Sequence, residues 1–189
     1  IDHLNLGGGF GVPYNDKNHE LDINELRNLV DTIYPNPQFN ISFEPGRYLI
    51  AKAGFLVTKI INIKKNGTVN YLIMDAGMQT LIRPALYNSY HKIIPINQSE
   101  NEIIYTIAGP ICESSDILAK NIKLPIQQNG NYLIICDVGA YGAVMASNYN
   151  SKLLPSEVLV NHHEYAIIRK QESIHELIKK DIMPSWLKI

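Results

Sequence analysis

The chain has 189 residues, 46% hydrophobic and 19% charged, which suits one sizeable globular domain, or a domain and a piece, with a core that needs no staples. Seventeen basic against eighteen acidic side chains give a formal charge of −1 without a long basic block, and no apolar run approaches the roughly 18–20 residues that cross a bilayer, so neither a nucleic-acid surface nor a membrane span is expected. Two cysteines, Cys112 and Cys136, neither in a CxxC pair, disfavour a disulfide scaffold or a zinc knuckle and leave a soluble cytoplasmic protein as the expectation.

Ile1-Asp2-His3-Leu4-Asn5-Leu6 reads as an alternating strand running straight into Gly7-Gly8-Gly9-Phe10-Gly11. A start inside a strand predicts that the chain is the later part of something longer. From about Asp22 to Tyr34, residues Ile23, Leu26, Leu29, Val30 and Ile33 recur at spacings of three and four, which predicts a helix capped by Asp22. Pro35 and Pro37 stop it. Asn40-Ile41-Ser42-Phe43 forms the next strand and ends in Glu44-Pro45-Gly46-Arg47. Strand, helix and strand make a βαβ crossover with parallel strands, part of a barrel or a doubly wound sheet.

After about Ala53 the rhythm becomes β-rich. Short β-branched runs cover 55–63, 69–74, 92–96, 103–108, 132–137, 157–160 and 165–169, some of them separated by turns such as Asn66-Gly67 and Asn129-Gly130-Asn131. An amphipathic helix over about 173–180 brings Ile174, Leu177 and Ile178 to one side. The division falls near residue 50, giving domains of 1–50 and 51–189 without a flexible linker.

Several segments carry chemistry. The glycine loop lets backbone N–H groups approach an anion, yet it fits neither the dinucleotide fingerprint nor the P-loop; it is a phosphate site or a tight strand-to-helix turn. Glu44-Pro45-Gly46-Arg47 places opposite charges at the C-terminal end of a strand, where barrel enzymes hold their sites; the bland alternative is a surface turn with a Glu–Arg ion pair. Cys112 beside Glu113 is a nucleophile, a proton donor or a small filler, and Cys136 in an apolar run reads as filler. Arg83 and Tyr87, four apart, share a face if that stretch is helical, where they can grip a carboxylate; otherwise Arg83 is solvated and Tyr87 packed. Gly139-Ala140-Tyr141-Gly142-Ala143 and Ser147-Asn148-Tyr149-Asn150 add tyrosines and amides in a small-residue stretch. His162-His163-Glu164 lacks zinc-ligand spacing, so no metal is expected.

In order, LNLGGGFGVPY, EPGRYLIAKAGFLVTKI, MDAGMQTLIRPALYNSYH, CESSD and GAYGAVMASNYNSKLLPSEVLV closely resemble the diaminopimelate decarboxylase family, over essentially the whole chain. The resemblance implies pyridoxal 5'-phosphate as cofactor. It also implies an α/β plus all-β fold: the last βαβ part of a (β/α)8 PLP barrel, followed by a C-terminal β-sandwich or β-barrel-like domain. Gly7, Gly8 and Gly9 then fall at the phosphate. Glu44 faces the pyridine nitrogen and keeps it protonated, as an electron sink needs. Pro45, Gly46 and Arg47 border the phosphate, with Arg47 also reaching substrate. Arg83 and Tyr87 match substrate-carboxylate positions, and Tyr141 matches a residue near both phosphate and substrate. Cys112 matches the proton donor, a thiol with an ordinary pKa near ~8.5 that is still largely protonated at neutral pH. Glu113 matches the residue that recognises the distal amino group. In the family these two reach the neighbouring subunit's site, so a homodimer is implied.

The expected reaction is therefore decarboxylation of meso-2,6-diaminopimelate to L-lysine and CO2, with Arg83 and Glu113 reading the substrate's second amino-acid end. Ser115 stands where the family usually has Gly, and Gln79-Thr80 where Asn-Asp is common; neither position carries the chemistry named above. The family's Schiff-base lysine lies on an early barrel strand, and Lys17, Lys52, Lys59 and the other lysines do not match its motif, so these 189 residues alone are expected to be inactive. One alternative is a sister decarboxylase of ornithine, lysine, arginine or carboxynorspermidine. Another is a non-catalytic remnant or binding protein.

Overall fold

The computed structural model describes residues 1–15 and 19–187; Lys17 lies outside them. Strand β1 (His3–Asn5) runs parallel to β2 (Asn40–Ser42), and helix α1 (Ile23–Ile33) connects them, so the first segment is the expected βαβ unit. The Asp22 carboxylate caps α1 by accepting from the backbone N–H groups of Asn24 at 2.8 Å and Glu25 at 3.2 Å. The helix closes at Tyr34, because a residue preceding proline is driven out of the helical region. Among the described residues nothing fully covers its apolar face, where Ile23, Leu29 and Ile33 remain exposed.

The segment after β2 departs from the sequence reading. Glu44-Pro45-Gly46-Arg47 is not the surface turn of the bland alternative: helix α2 (Gly46–Ile50) starts inside it and runs into a 3-10 turn at Ala51–Ala53. Pro45, with φ of −78°, sits at the N-cap and leads into the helix, and no breaker follows until Gly54.

Six strands form one mixed sheet: β3 (Leu56–Asn66), β4 (Val69–Met74), β5 (Ile93–Pro95), β6 (Glu102–Ala108), β7 (Ile117–Pro125) and β8 (Tyr132–Ile135), with helix α3 (Arg83–Tyr87) between β4 and β5. Their order is β5-β8-β3-β4-β6-β7, antiparallel throughout except for the parallel pair β4–β6. Ile60, Leu72, Met74, Leu81, Tyr105, Ile107, Leu118, Leu124, Leu133 and Ile135 make one core cluster. Fully burying a side chain such as Leu72 or Leu133 contributes about 2–3 kcal/mol. Both edges feed this cluster, Ile93 from β5 and Leu118 and Leu124 from β7. The Gln127 amide donates to the carbonyls of Pro125 at 2.9 Å and Asn97 at 3.4 Å, tying the end of β7 to the loop after β5. The sheet thus wraps around its own interior in the barrel-like manner expected.

Strand β7 is absent from the sequence reading. Asn121 takes a left-handed φ of 56° there, and the register against β6 slips. This bulge leaves Leu118, Ala119, Ile122 and Leu124 facing the core, a spacing without the period of two that signals a strand. Beyond the sheet, β9 (Glu157–Asn161) and β10 (Glu164–Arg169) form an antiparallel hairpin. Helix α4 (Ile174–Ile178) follows, opened by a reciprocal Ser173–Glu176 capping box. Among the described residues no helix is long and apolar enough to cross a membrane.

Candidate active site

The glycine loop and the Glu44–Arg47 segment face each other because β1 and β2 are neighbours. Their pairing continues past the strands: Leu6 N–H donates to the Ser42 carbonyl at 2.9 Å and Glu44 N–H to that of Gly7 at 2.8 Å. Gly8 lies so close to the other segment that a Cβ there would stand 2.6 Å from the Glu44 carbonyl oxygen. Phe10 braces the loop, its ring edge-on to Phe43 at 5.5 Å and tilted against Tyr48 at 5.9 Å. The Glu–Arg ion pair of the bland alternative is not what holds this corner. Asn5 Nδ2 donates to Glu44 Oε1 at 2.5 Å, and the Arg47 guanidinium lies 5.8 Å from the centre of the Tyr14 ring.

A distant segment completes the pocket. Val138 N–H donates to the Gly54 carbonyl and Gly139 N–H to that of Ala51, both at 3.0 Å, which lays residues 138–142 against the end of α2. This approach requires two glycines: a Cβ on Gly54 would stand 2.3 Å from the Gly139 backbone, and one on Gly139 would stand 2.0 Å from the Ile50 carbonyl oxygen. Tyr141 then projects from a left-handed backbone, φ 61°, a conformation that costs free energy for a bulky residue. Gly8, Gly9, Phe10, Glu44, Pro45, Gly46, Arg47, Leu49 and Tyr141 together line a cavity of about 640 Å³. Of the residues expected at the cofactor, all but Gly7 line this one cavity.

The cavity fits a pyridoxal phosphate. A Cβ on Gly9 or Gly46 would meet nothing within 4 Å, so both backbones border open space where a phosphate can come close. Arg47 supplies a cation, Glu44 an anion, and Phe10 and Leu49 apolar wall.

Arg83 lies outside that lining but beside it, its guanidinium 5.6 Å from the Tyr141 ring centre and 5.9 Å from that of Tyr87. It is not solvated. Only 6% of its surface is exposed, and its Nε–H has no partner. A buried guanidinium with an open donor is suited to a carboxylate ligand. Tyr87 is largely exposed instead of packed. The helical spacing expected of this pair is present in α3.

His91, unnoticed in the sequence, links these groups. It is 3% exposed, its Nδ1 lies 2.9 Å from the Cys136 carbonyl oxygen, and its ring meets Tyr14 edge-on at 5.7 Å. Burial, and to a smaller extent the Arg83 charge, push its pKa below the ordinary range. Because a carbonyl oxygen only accepts, Nδ1 is the protonated nitrogen that donates to Cys136. Burial likewise raises the Cys136 pKa, in keeping with a filler thiol.

Cys112 and Glu113 are not in the cavity lining. They sit on the loop between β6 and β7, with the Cys112 thiol exposed. The buried Asp116 carboxylate anchors this loop by accepting from Met78 N–H at 2.6 Å and Ile111 N–H at 3.1 Å. Glu113 Oε1 accepts from the Ser115 N–H at 3.1 Å and hydroxyl at 3.0 Å, and Oε2 from the Tyr149 hydroxyl at 3.2 Å. These bonds hold its pKa below the ordinary carboxylate range, and Tyr149 moves the opposite way. Ser115, which stands where the family usually has Gly, hydrogen-bonds one of the named residues directly. His162-His163-Glu164 lies at the exposed turn of the β9–β10 hairpin, and among the described residues no cluster of three or more His, Cys, Asp or Glu could hold a metal ion.

Comparison with known proteins agrees with this geometry. Residues 1–51 match the family model of the pyridoxal-dependent decarboxylase pyridoxal-binding domain, and residues 28–139 match that of the C-terminal sheet domain. The chain is 41% identical over 179 residues to the diaminopimelate decarboxylase of Haemophilus influenzae, covering 94% of this chain and 43% of the relative. It superposes on a crystal structure of diaminopimelate decarboxylase from M. jannaschii with a TM-score of 0.93 at 37% identity, over 98% of this chain and 44% of that one. The M. jannaschii enzyme in complex with L-lysine gives a TM-score of 0.92 at 38% identity, over 97% and 44% of the two chains. The chain thus spans somewhat under half the length of these relatives. It belongs to the pyridoxal-dependent decarboxylase family.

Proposed function

We propose that the protein carrying this chain decarboxylates meso-2,6-diaminopimelate to L-lysine and CO2, as a cytoplasmic homodimer with shared sites. The carrying observation is the cavity where residues 8–10, 44–47, 49 and 141, remote in sequence, converge. Pyridoxal phosphate, when bound, supplies the electron sink for the electrons left at Cα once the carboxylate departs. Gly8, Gly9 and Gly46 present backbone to its phosphate, with Pro45, Arg47 and Tyr141 alongside. Glu44, oriented by Asn5, is the anion that keeps the pyridine nitrogen protonated. Arg83 and Tyr87 take the substrate's remaining carboxylate, with Arg47 and Tyr141 also on the substrate side. Glu113 takes the distal ammonium. Cys112 delivers the proton to Cα.

The exposed Cys112 thiol and the half-buried Glu113, both off the lining, support their service to a second copy's site. A thiol acid needs a reducing compartment, which supports the cytoplasm. Residues 1–50 form the barrel part and 51–189 the sheet domain with its terminal helix. The test is product analysis with the protein at its natural length. Equimolar CO2 and L-lysine from meso-diaminopimelate, lost on removing pyridoxal phosphate and regained on adding it back, is expected. Turnover of ornithine, arginine or carboxynorspermidine in its place would contradict the proposal.

A further inference from the structure

We infer that Ser115 and Tyr149 are positioning residues that hold Glu113 as a fixed, unneutralised anion and thereby set the preference for substrates with a distal ammonium. The inference rests on the reading of Glu113 given above.

A carboxylate offers about four lone-pair sites. Hydrogen bonds fill three here, Oε1 by the Ser115 N–H and Oγ–H and Oε2 by the Tyr149 hydroxyl, and the Ser114 N–H adds a weaker pull on the same carboxylate. All three donors are neutral. They fix the plane and direction of the carboxylate without cancelling its charge, and they leave acceptor capacity for an incoming cation. An ammonium, with three donors and a full charge, is the complementary ligand. The Ser115 hydroxyl also lies 3.7 Å from Met78 Sδ, but its single proton goes to the charged acceptor at 3.0 Å in preference to a thioether.

Both donors are themselves held. Ser115 sits in a tight loop closed by Glu113 N–H to the Ile111 carbonyl at 2.9 Å and Asp116 N–H to the Glu113 carbonyl at 3.1 Å, above the buried Asp116 anchor. Tyr149 opens a short turn in which Asn150 and Ser151 take left-handed φ values of 57° and 55°. On one side Ser147 N–H donates to the Gln79 carbonyl at 2.8 Å, and on the other Asn148 Nδ2 donates to the Lys152 carbonyl at 2.8 Å and to Glu172. The lowered pKa of Glu113 and the raised pKa of Tyr149 agree in sign with a phenol donating to a carboxylate.

The test uses the natural-length holoenzyme with meso-diaminopimelate, comparing wild type, S115A, S115T, Y149F, E113Q and the doubles S115A/E113Q and Y149F/E113Q. S115A and Y149F should each raise KM about 3- to 10-fold, less than loss of a direct hydrogen bond to a charged group because the effect reaches substrate through Glu113, with a smaller change in kcat. S115T, which keeps the hydroxyl, should restore the wild-type KM. The acid limb of kcat/KM should move to higher pH in S115A and Y149F, because a carboxylate stripped of donors takes up its proton more readily. In the E113Q background neither second substitution should change KM further. Effects of equal size with and without Glu113, or an unchanged KM in S115A and Y149F while E113Q raises it, would overturn the inference. An E113Q variant with wild-type KM would instead overturn the reading of Glu113, and the inference with it.

Discussion

Arg83 is the side chain whose environment departs most from what a single residue in a sequence announces. It is 6% exposed, stacked between two tyrosine rings, and carries a buried Nε–H without a partner. Arg83→Lys keeps the charge but loses the fork that meets a carboxylate with two parallel bonds. In steady-state assays of the natural-length protein, KM for meso-diaminopimelate should rise at least about tenfold, the equivalent of one charge-assisted hydrogen bond. His91 makes a second prediction. Its pKa is depressed from the ordinary 6.5, so the unfolded chain binds a proton that the folded protein refuses. Stability that is complete above pH ~6.5 should fall as the pH drops toward the folded value. His91→Asn can still donate to the Cys136 carbonyl, and urea-unfolding midpoints between pH 7 and 5 should be flatter for this variant than for wild type. Neither residue's burial was legible in the sequence. Arg83 could be flagged by its spacing from Tyr87, but the Tyr14, His91 and Cys136 contacts join residues 14, 91 and 136, which no local pattern connects.

Elements were legible where periodicity and caps agree. Asp22 and Pro35 bracket α1, and Ser173 opens α4 with a box completed by Glu176. Asn66-Gly67 falls at the turn between β3 and β4. Strand β7 was hidden because one left-handed asparagine shifts its register, and α2 because Pro-Gly reads as a turn from sequence alone. The packing of α2 against residues 138–142 was hidden too, although it brings Tyr141 to the cofactor cavity. It depends on Gly54 and Gly139, where no side chain fits. Gly139→Ala should therefore cost about 1–3 kcal/mol of stability from overpacking and weaken pyridoxal phosphate binding, since Tyr141 moves with the loop. Thermal unfolding together with cofactor titration by absorbance would check both effects; an alanine variant with wild-type values for both would show the contact to be unnecessary.

For the whole molecule, the absence of Cys112 and Glu113 from the cavity lining makes a prediction about assembly. In the proposed shared-site dimer, Glu44→Ala and Cys112→Ala each damage a different half of a site. Mixed under conditions that allow subunit exchange, the two inactive variants should regain about a quarter of wild-type activity, because half the dimers are hybrids with one intact site each. No recovery would place both residues in a site built by one chain. The most direct measurement is kcat/KM for meso-diaminopimelate beside L-ornithine, made on the natural-length protein with pyridoxal phosphate. With the proposed roles, Arg83 predicts a preference of at least about tenfold for the substrate with a distal carboxylate, one charge-assisted contact at the lower end of its range, since ornithine keeps an ammonium for Glu113. Equal values for the two, or a preference for ornithine, would contradict it.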